Sequence, residues 1–184
     1  MDMEDLYLIT DKAGFTPEMS RLISMMNYAR YTTMKTVEGL SQAQLDYVMD
    51  PHSNSIGALL YHMAAVEYAY QAFTFENREL TEQELLTWGA ALELGEKGQQ
   101  MIHGHDLNFY LTLLDEVRQR TLDGFKSRND EWLHEAAPFW HGKPANNYFK
   151  WFHVFEDEIN HRGQMRFIKK RLPLRICSWQ RSRI

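Results

Sequence analysis

Apolar residues recur along the chain mostly at three- and four-residue steps, and rarely in the strict alternation of a half-buried strand. Four long stretches carry this helical period. The first, Pro17 to Glu38, sets Met19, Leu22, Ile23, Met26, Ala29 and Met34 at such steps. Thr16 suits its N-cap, Pro17 the first helical position and Gly39 the stop. A short helix over Ser41 to Tyr47 should follow, because Ser41 and Gln44 have capping-box spacing. The second long stretch, Ser55 to Phe75, is apolar nearly all round; tyrosines aside, its interior polar residues are His62, Glu67, Gln71 and Thr74. Such a helix belongs in the middle of an assembly. The third, Asp106 to Asp123, turns Leu107, Tyr110, Leu111, Leu114, Val117 and Leu122 inward behind an Asp106 cap, and the Asp123-Gly124 pair reads as its stop. The fourth runs from Asn146 to Leu172 and ends at Pro173.

Roughly thirty residues separate the second and third stretches, far more than an ordinary bundle loop. Within them, Thr81 to Met101 predicts one or two short helices forming a wall or lid rather than core. A loop holding Pro138 and Pro144 leads into the fourth helix. The expected fold is therefore all-α, a four-helix bundle with a long connection between helices two and three. At 184 residues it should be a single domain over 1–184, with its core at about 17–173 and a short, basic, solvated tail at 174–184.

Composition trims the functional options. With 44% hydrophobic and 24% charged residues, wholesale disorder is excluded. Twenty basic against 25 acidic side chains, net −5, offer no global handle for nucleic acid, so no nucleic-acid partner is expected. A single cysteine can form neither an intrachain disulfide nor a cysteine-only metal cluster. No apolar run approaches the ~20 residues of a membrane span, and the opening MDMEDLYLIT lacks the order of a secretory signal. The expectation is a cytoplasmic protein with no membrane partner.

The chemistry concentrates on the fourth helix. At ~100° per residue, His153, Asp157, His161 and Gln164 fall in a sector of about 80°. Phe149, Phe152, Phe155, Ile159 and Phe167 cover the adjoining side and are expected to bury bulk. Asp157 and His161, one turn apart, form either a surface ion pair or two ligands of one cation. His62 bears on that choice. Set among Leu59, Leu60, Met63 and Val66, it needs a hydrogen-bond partner or a metal. In a bundle, His62 from helix two and Asp157 with His161 from helix four could meet at one point. Two histidines and a carboxylate with open positions suit catalytic zinc or another divalent transition metal. His153 is a further candidate ligand or rim residue. Glu67, about 140° from His62 around the helix, falls outside that face and serves as a second-layer acceptor or as partner to an arginine such as Arg162.

The segment HSNSIGALLYHMAAVE, followed some ninety residues later by FEDEINHRGQMRFIKKRLP, resembles the DinB/YfiT family of bacterial four-helix-bundle metalloproteins. His161 to Gln164, the His-Arg-Gly-Gln signature, is the most specific part, and the likeness covers about residues 17 to 173. The resemblance implies one divalent metal per chain, zinc or nickel first, with manganese or iron also suited, on His62, Asp157 and His161. It places Asp157 where the family usually has histidine, and leaves His153, Gln164 and Glu67 at the rim or behind the ligands. It further implies a small-molecule substrate, a homodimer, and either transfer chemistry with a low-molecular-weight thiol or metal-dependent hydrolysis. The alternative is a non-catalytic bundle, its metal structural or lost, acting through dimer or partner contacts.

Overall fold

The computed structural model describes residues 5–173; the tail with Cys177 and Trp179 lies outside them. Four long helices dominate: α1 (Pro17–Val37), α3 (Ile56–Phe75), α6 (Leu107–Lys126) and α8 (Asn147–Lys169). Shorter helices lie between them: α2 (Gln42–Leu45), α4 (Glu82–Glu93), α5 (Gly95–Met101) and α7 (Asp130–His134). The all-α bundle expected from the periodicity is the observed architecture. Among the described residues no helix is long and apolar enough to cross a membrane.

Local chemistry sets the helix ends. Ser55, Asp106 and Asn146 each accept a hydrogen bond from a backbone N–H in the first turn, and Ser41 with Gln44 closes the capping box that starts α2. Thr16 sits at the N-cap of α1, but its hydroxyl donates to Asp130. The Asp130 carboxylate accepts from the Glu18 and Met19 amides, so α7 caps α1 from a distance.

The long connection follows from direction. Gly57 abuts Tyr110 and, further along, Phe75 abuts Gly124, so α3 and α6 run parallel. The chain must return the length of the bundle between them, and it does so through α4 and α5. This segment is more than a wall: Trp88 and Ala91 are buried in the same cluster as Leu59, Leu60 and Met63. Asp123-Gly124 does not stop α6, which continues to Lys126. A Cβ at Gly124 would lie 2.3 Å from the Phe75 ring, so the glycine permits close helix approach rather than a turn.

Two further expectations are corrected. The loop before α8 contains a hairpin, β1 (Ala136–Pro138) antiparallel to β2 (Pro144–Asn146), with Ala137 opposite Ala145. Its strands are three residues long and each carries a proline at its loop end, too short for an alternation signal. On α8 the buried face is Trp151, Val154, Phe155, Glu158, Met165 and Ile168. Phe149, Phe152, Ile159 and Phe167 are all more than 40% exposed. The apolar stripe assigned to the core thus faces outward, and of that set only Phe155 is buried.

At the centre each long helix supplies one charged side chain: Arg30, Glu67, Arg118 and Glu158. Arg30 Nε donates to both Glu158 oxygens at 3.1 and 3.2 Å, and its Nη2 to Glu67 at 3.0 Å. Arg118 donates to Glu67 at 2.6 and 3.1 Å, and Thr121 adds a bond at 2.8 Å. All four are at most 5% exposed. Burial pushes the Glu67 carboxyl up, but Arg118 and Arg30 outweigh it and hold the group below the usual carboxylate range. The stability this contributes is complete above the unfolded carboxyl pKa, roughly 4.3, and is lost as pH falls through the lower folded value.

Glu67→Gln leaves a buried guanidinium uncompensated and should cost about 3–5 kcal/mol at neutral pH. Urea titrations at stepped pH should show the wild type weakening below roughly pH 4.3, with a smaller acid loss in the variant. Equal neutral-pH stability would contradict the role assigned to Glu67. Gly124→Ala should lose about 1–3 kcal/mol through overpacking against Phe75, despite alanine's better helix propensity. A midpoint unchanged or raised would show that the ring yields.

Candidate metal centre

His62 projects from the first half of α3 toward the last half of α8. Its Nδ1 lies 2.8 Å from the carbonyl oxygen of Ala91. A carbonyl only accepts, so Nδ1 carries a proton, and in the neutral ring Nε2 is the nitrogen left with a lone pair. Ala91 is free to accept because α4 ends at Glu93, where Leu94 turns to positive φ. The amide of Gly95, four residues on, goes to Asn54 instead.

His62 Nε2 stands 3.4 Å from Asp157 Oδ2, and Asp157 Oδ1 stands 3.3 Å from His161 Nε2. The two imidazoles cross at 79° with centroids 4.6 Å apart. One donor atom from each of the three residues lies within 4.8 Å of the other two. Their side chains are 11%, 18% and 13% exposed, so the cluster is sheltered yet reachable. Burial pushes the Asp157 carboxyl up, but both histidines outweigh it and hold the group well below the ordinary range. Burial pulls His161 down, and Asp157, with a smaller contribution from Gln164, raises it above its usual value.

Two buried atoms in this cluster, Asp157 Oδ2 and His161 Nδ1, have no hydrogen-bond partner among the described residues. An orphaned buried carboxylate oxygen is uncommon and costly, and the donors around Asp157 Oδ2 fit a cation, whereas His161 Nδ1 is the ring nitrogen away from them. Donors bound at about 2.1 Å to a common tetrahedral ion sit roughly 3.4 Å apart. Each histidine stands at about that distance from one Asp157 oxygen, though from different oxygens, and the three donors together lie within 4.8 Å. A histidine whose second nitrogen is fixed by a carbonyl is likewise the usual arrangement behind a metal ligand. The residues present fit a divalent ion.

The other residues singled out in the sequence lie elsewhere. His153, one turn before Asp157, is not in the donor cluster; its Nδ1 is 3.1 Å from Glu156 and its ring meets Trp140 edge-on at 4.7 Å. Gln164 is exposed beside His161. Glu67 belongs to the central charge network, and its arginine partners are Arg118 and Arg30. Arg162 instead reaches the Thr32 hydroxyl and the Ala29 carbonyl on α1. Sequence reasoning missed Ala91, because a backbone carbonyl leaves no residue signature. It also missed Tyr70, whose ring lies 5.9 Å from that of His153 and whose phenol is raised by burial and by the charge of Asp157.

The family model described as mycothiol-S-transferase matches residues 21–172. A solved structure described as a conserved protein from Enterococcus faecalis is 14% identical, with a TM-score of 0.65 over 81% of this chain and 93% of that one. At that identity the likeness concerns the fold alone. No curated protein matches the chain. Since the family match runs from α1 to just past α8 and takes in all three clustered donors, the chain belongs to the mycothiol-S-transferase family, a DinB/YfiT-like family.

Proposed function

We propose that the protein is a metal-dependent thiol S-transferase acting on a small molecule, with one divalent ion held by His62, Asp157 and His161. The observation that carries this reading is the meeting of three donors from α3 and α8, one of them locked in its metal-ready tautomer by Ala91. Three protein donors leave open positions, the pattern of a catalytic rather than a closed structural site. When bound, the ion supplies a Lewis acid that lowers the pKa of a coordinated thiol or water toward neutrality.

The chain's own residues set the rest. Asp157 is ionised and hard, so the donor set carries one more negative charge than three histidines would. That set suits zinc or nickel and admits manganese or iron. Ala91 fixes the His62 ring, so that no rotation is needed when the ion enters. Beyond His153, the rings of Tyr70, Phe139 and Trp140 form an aromatic wall leading from the centre toward the hairpin. Such a wall suits the apolar part of a small electrophile or of the thiol itself. The family match favours a thiol over water as the group that reacts.

Elemental analysis of tag-free protein should find stoichiometric metal, lost in His62→Ala, Asp157→Ala and His161→Ala and kept in Asp157→His. The loaded protein should accelerate conjugation of a low-molecular-weight thiol with a small electrophile, and chelation should abolish that rate. Full metal content in either histidine variant would overturn the ligand assignment. Metal-dependent ester hydrolysis without thiol transfer would replace the transferase reading with a hydrolase.

A further inference from the structure

The hydroxyl of Tyr70 is a polar group beside the donor cluster that the ligand set does not use. Tyr70 is buried and lies two turns beyond His62 on α3. Its ring is packed by those of Phe73, His153 and Phe139, with centroids 5.8, 5.9 and 6.2 Å away. A buried phenol ordinarily finds a hydrogen-bond partner. Tyr68, two residues earlier, donates to Glu84 at 2.6 Å. The side chain that bonds Tyr70 is Thr74, and it takes the backbone carbonyl. The Tyr70 hydroxyl itself has no partner among the described residues, yet it is not one of the atoms sealed from solvent. The ring is held in place while its polar tip stays available.

Helix direction aims that tip at the centre. α3 and α8 run antiparallel: His62 faces Asp157, and nearer the end of α3 Thr74 accepts from Trp151 Nε1 at 3.1 Å. Tyr70 thus stands level with His153, one turn before Asp157 on α8. Helical side chains lean toward the N-terminus of their own helix. Tyr70 therefore leans back along α3 toward His62, and Asp157 leans along α8 toward Tyr70. The electrostatics agree, since after burial the charge of Asp157 is what raises the phenol. Tyr70 borders the cluster on its Asp157 side, across from the Ala91 carbonyl that backs His62. Because the phenol is raised, it carries its proton at neutral pH and can donate.

We propose that Tyr70 is a further catalytic residue, whose hydroxyl donates a hydrogen bond to the sulfur held at an open position of the His62–Asp157–His161 centre. The inference rests on the thiol-transferase reading above and adds a fourth group to it. A hydrogen bond to a thiolate is charge-assisted, so it favours the ionised sulfur over the neutral thiol. It also fixes where the sulfur sits, and with it the lone pair that attacks the electrophile.

The test uses the cobalt-loaded full chain, with 2-mercaptoethanol and azide as probes and Tyr70→Phe as the variant. Phenylalanine keeps the ring, so cobalt content and melting temperature should match the wild type. Absorbance titration at fixed pH should show 2-mercaptoethanol binding the variant about tenfold to a hundredfold more weakly. Its sulfur-to-cobalt charge-transfer band should move to longer wavelength, because a thiolate without the hydrogen bond gives up its electron more readily. A packing role alone would leave that band where it is. Equal affinity or an unmoved band overturns the role of Tyr70, as does a chain that takes up no cobalt. Failure of the thiol reading looks different: no sulfur-to-cobalt band forms in either protein, while azide still binds the variant more weakly. Azide binding both proteins equally, with no such band, overturns both.

Discussion

Four buried charges hold this bundle in register. Arg30, Glu67, Arg118 and Glu158 come from four different helices and meet where no water reaches them. Two positive and two negative groups cancel, but only in one arrangement. Rotating any helix by a residue would strand a charge in the core, at several kcal/mol. Hydrophobic packing alone tolerates such slips far better. The consequence for function is direct, because Glu158 and Asp157 are neighbours in sequence. Once Glu158 is pinned to Arg30, α8 has no rotational freedom, and Asp157 with His161 must face α3. Glu67 fixes α3 from the same network, and His62 lies on that helix. The charges that secure the core also aim the metal-competent donors at each other.

The helices themselves are plain in the sequence, since caps such as Ser55, Asp106 and Asn146 and three- to four-residue apolar steps are local signals. The central place of α3 could be read from its lack of a polar face. The outward turn of Phe149, Phe152, Ile159 and Phe167 could not. Apolar residues occupy two sides of α8, and the buried side, with Trp151, Val154, Phe155, Met165 and Ile168, is the one that also carries Glu158. Glu158, sitting beside Asp157 in an acidic run, gives no sign in the sequence of being 2% exposed. Gly124 misled for a related reason: a glycine that makes room for Phe75 looks the same as one that ends a helix.

The candidate site was legible in part for the same physical reasons. An imidazole in an apolar helix must find a partner, and i, i+4 spacing on α8 offered one. What no spacing shows is the carbonyl of Ala91, presented by the end of α4, which sets the tautomer of His62.

We propose that the fold itself assembles a three-donor metal centre. The most direct measurement is a crystal of the protein grown with zinc and analysed by anomalous diffraction at the metal edge. A single strong peak bonded to His62, Asp157 and His161 is expected, with His62 Nδ1 still on the Ala91 carbonyl and the four central charges unmoved. No peak there, or a peak on other residues, would contradict it.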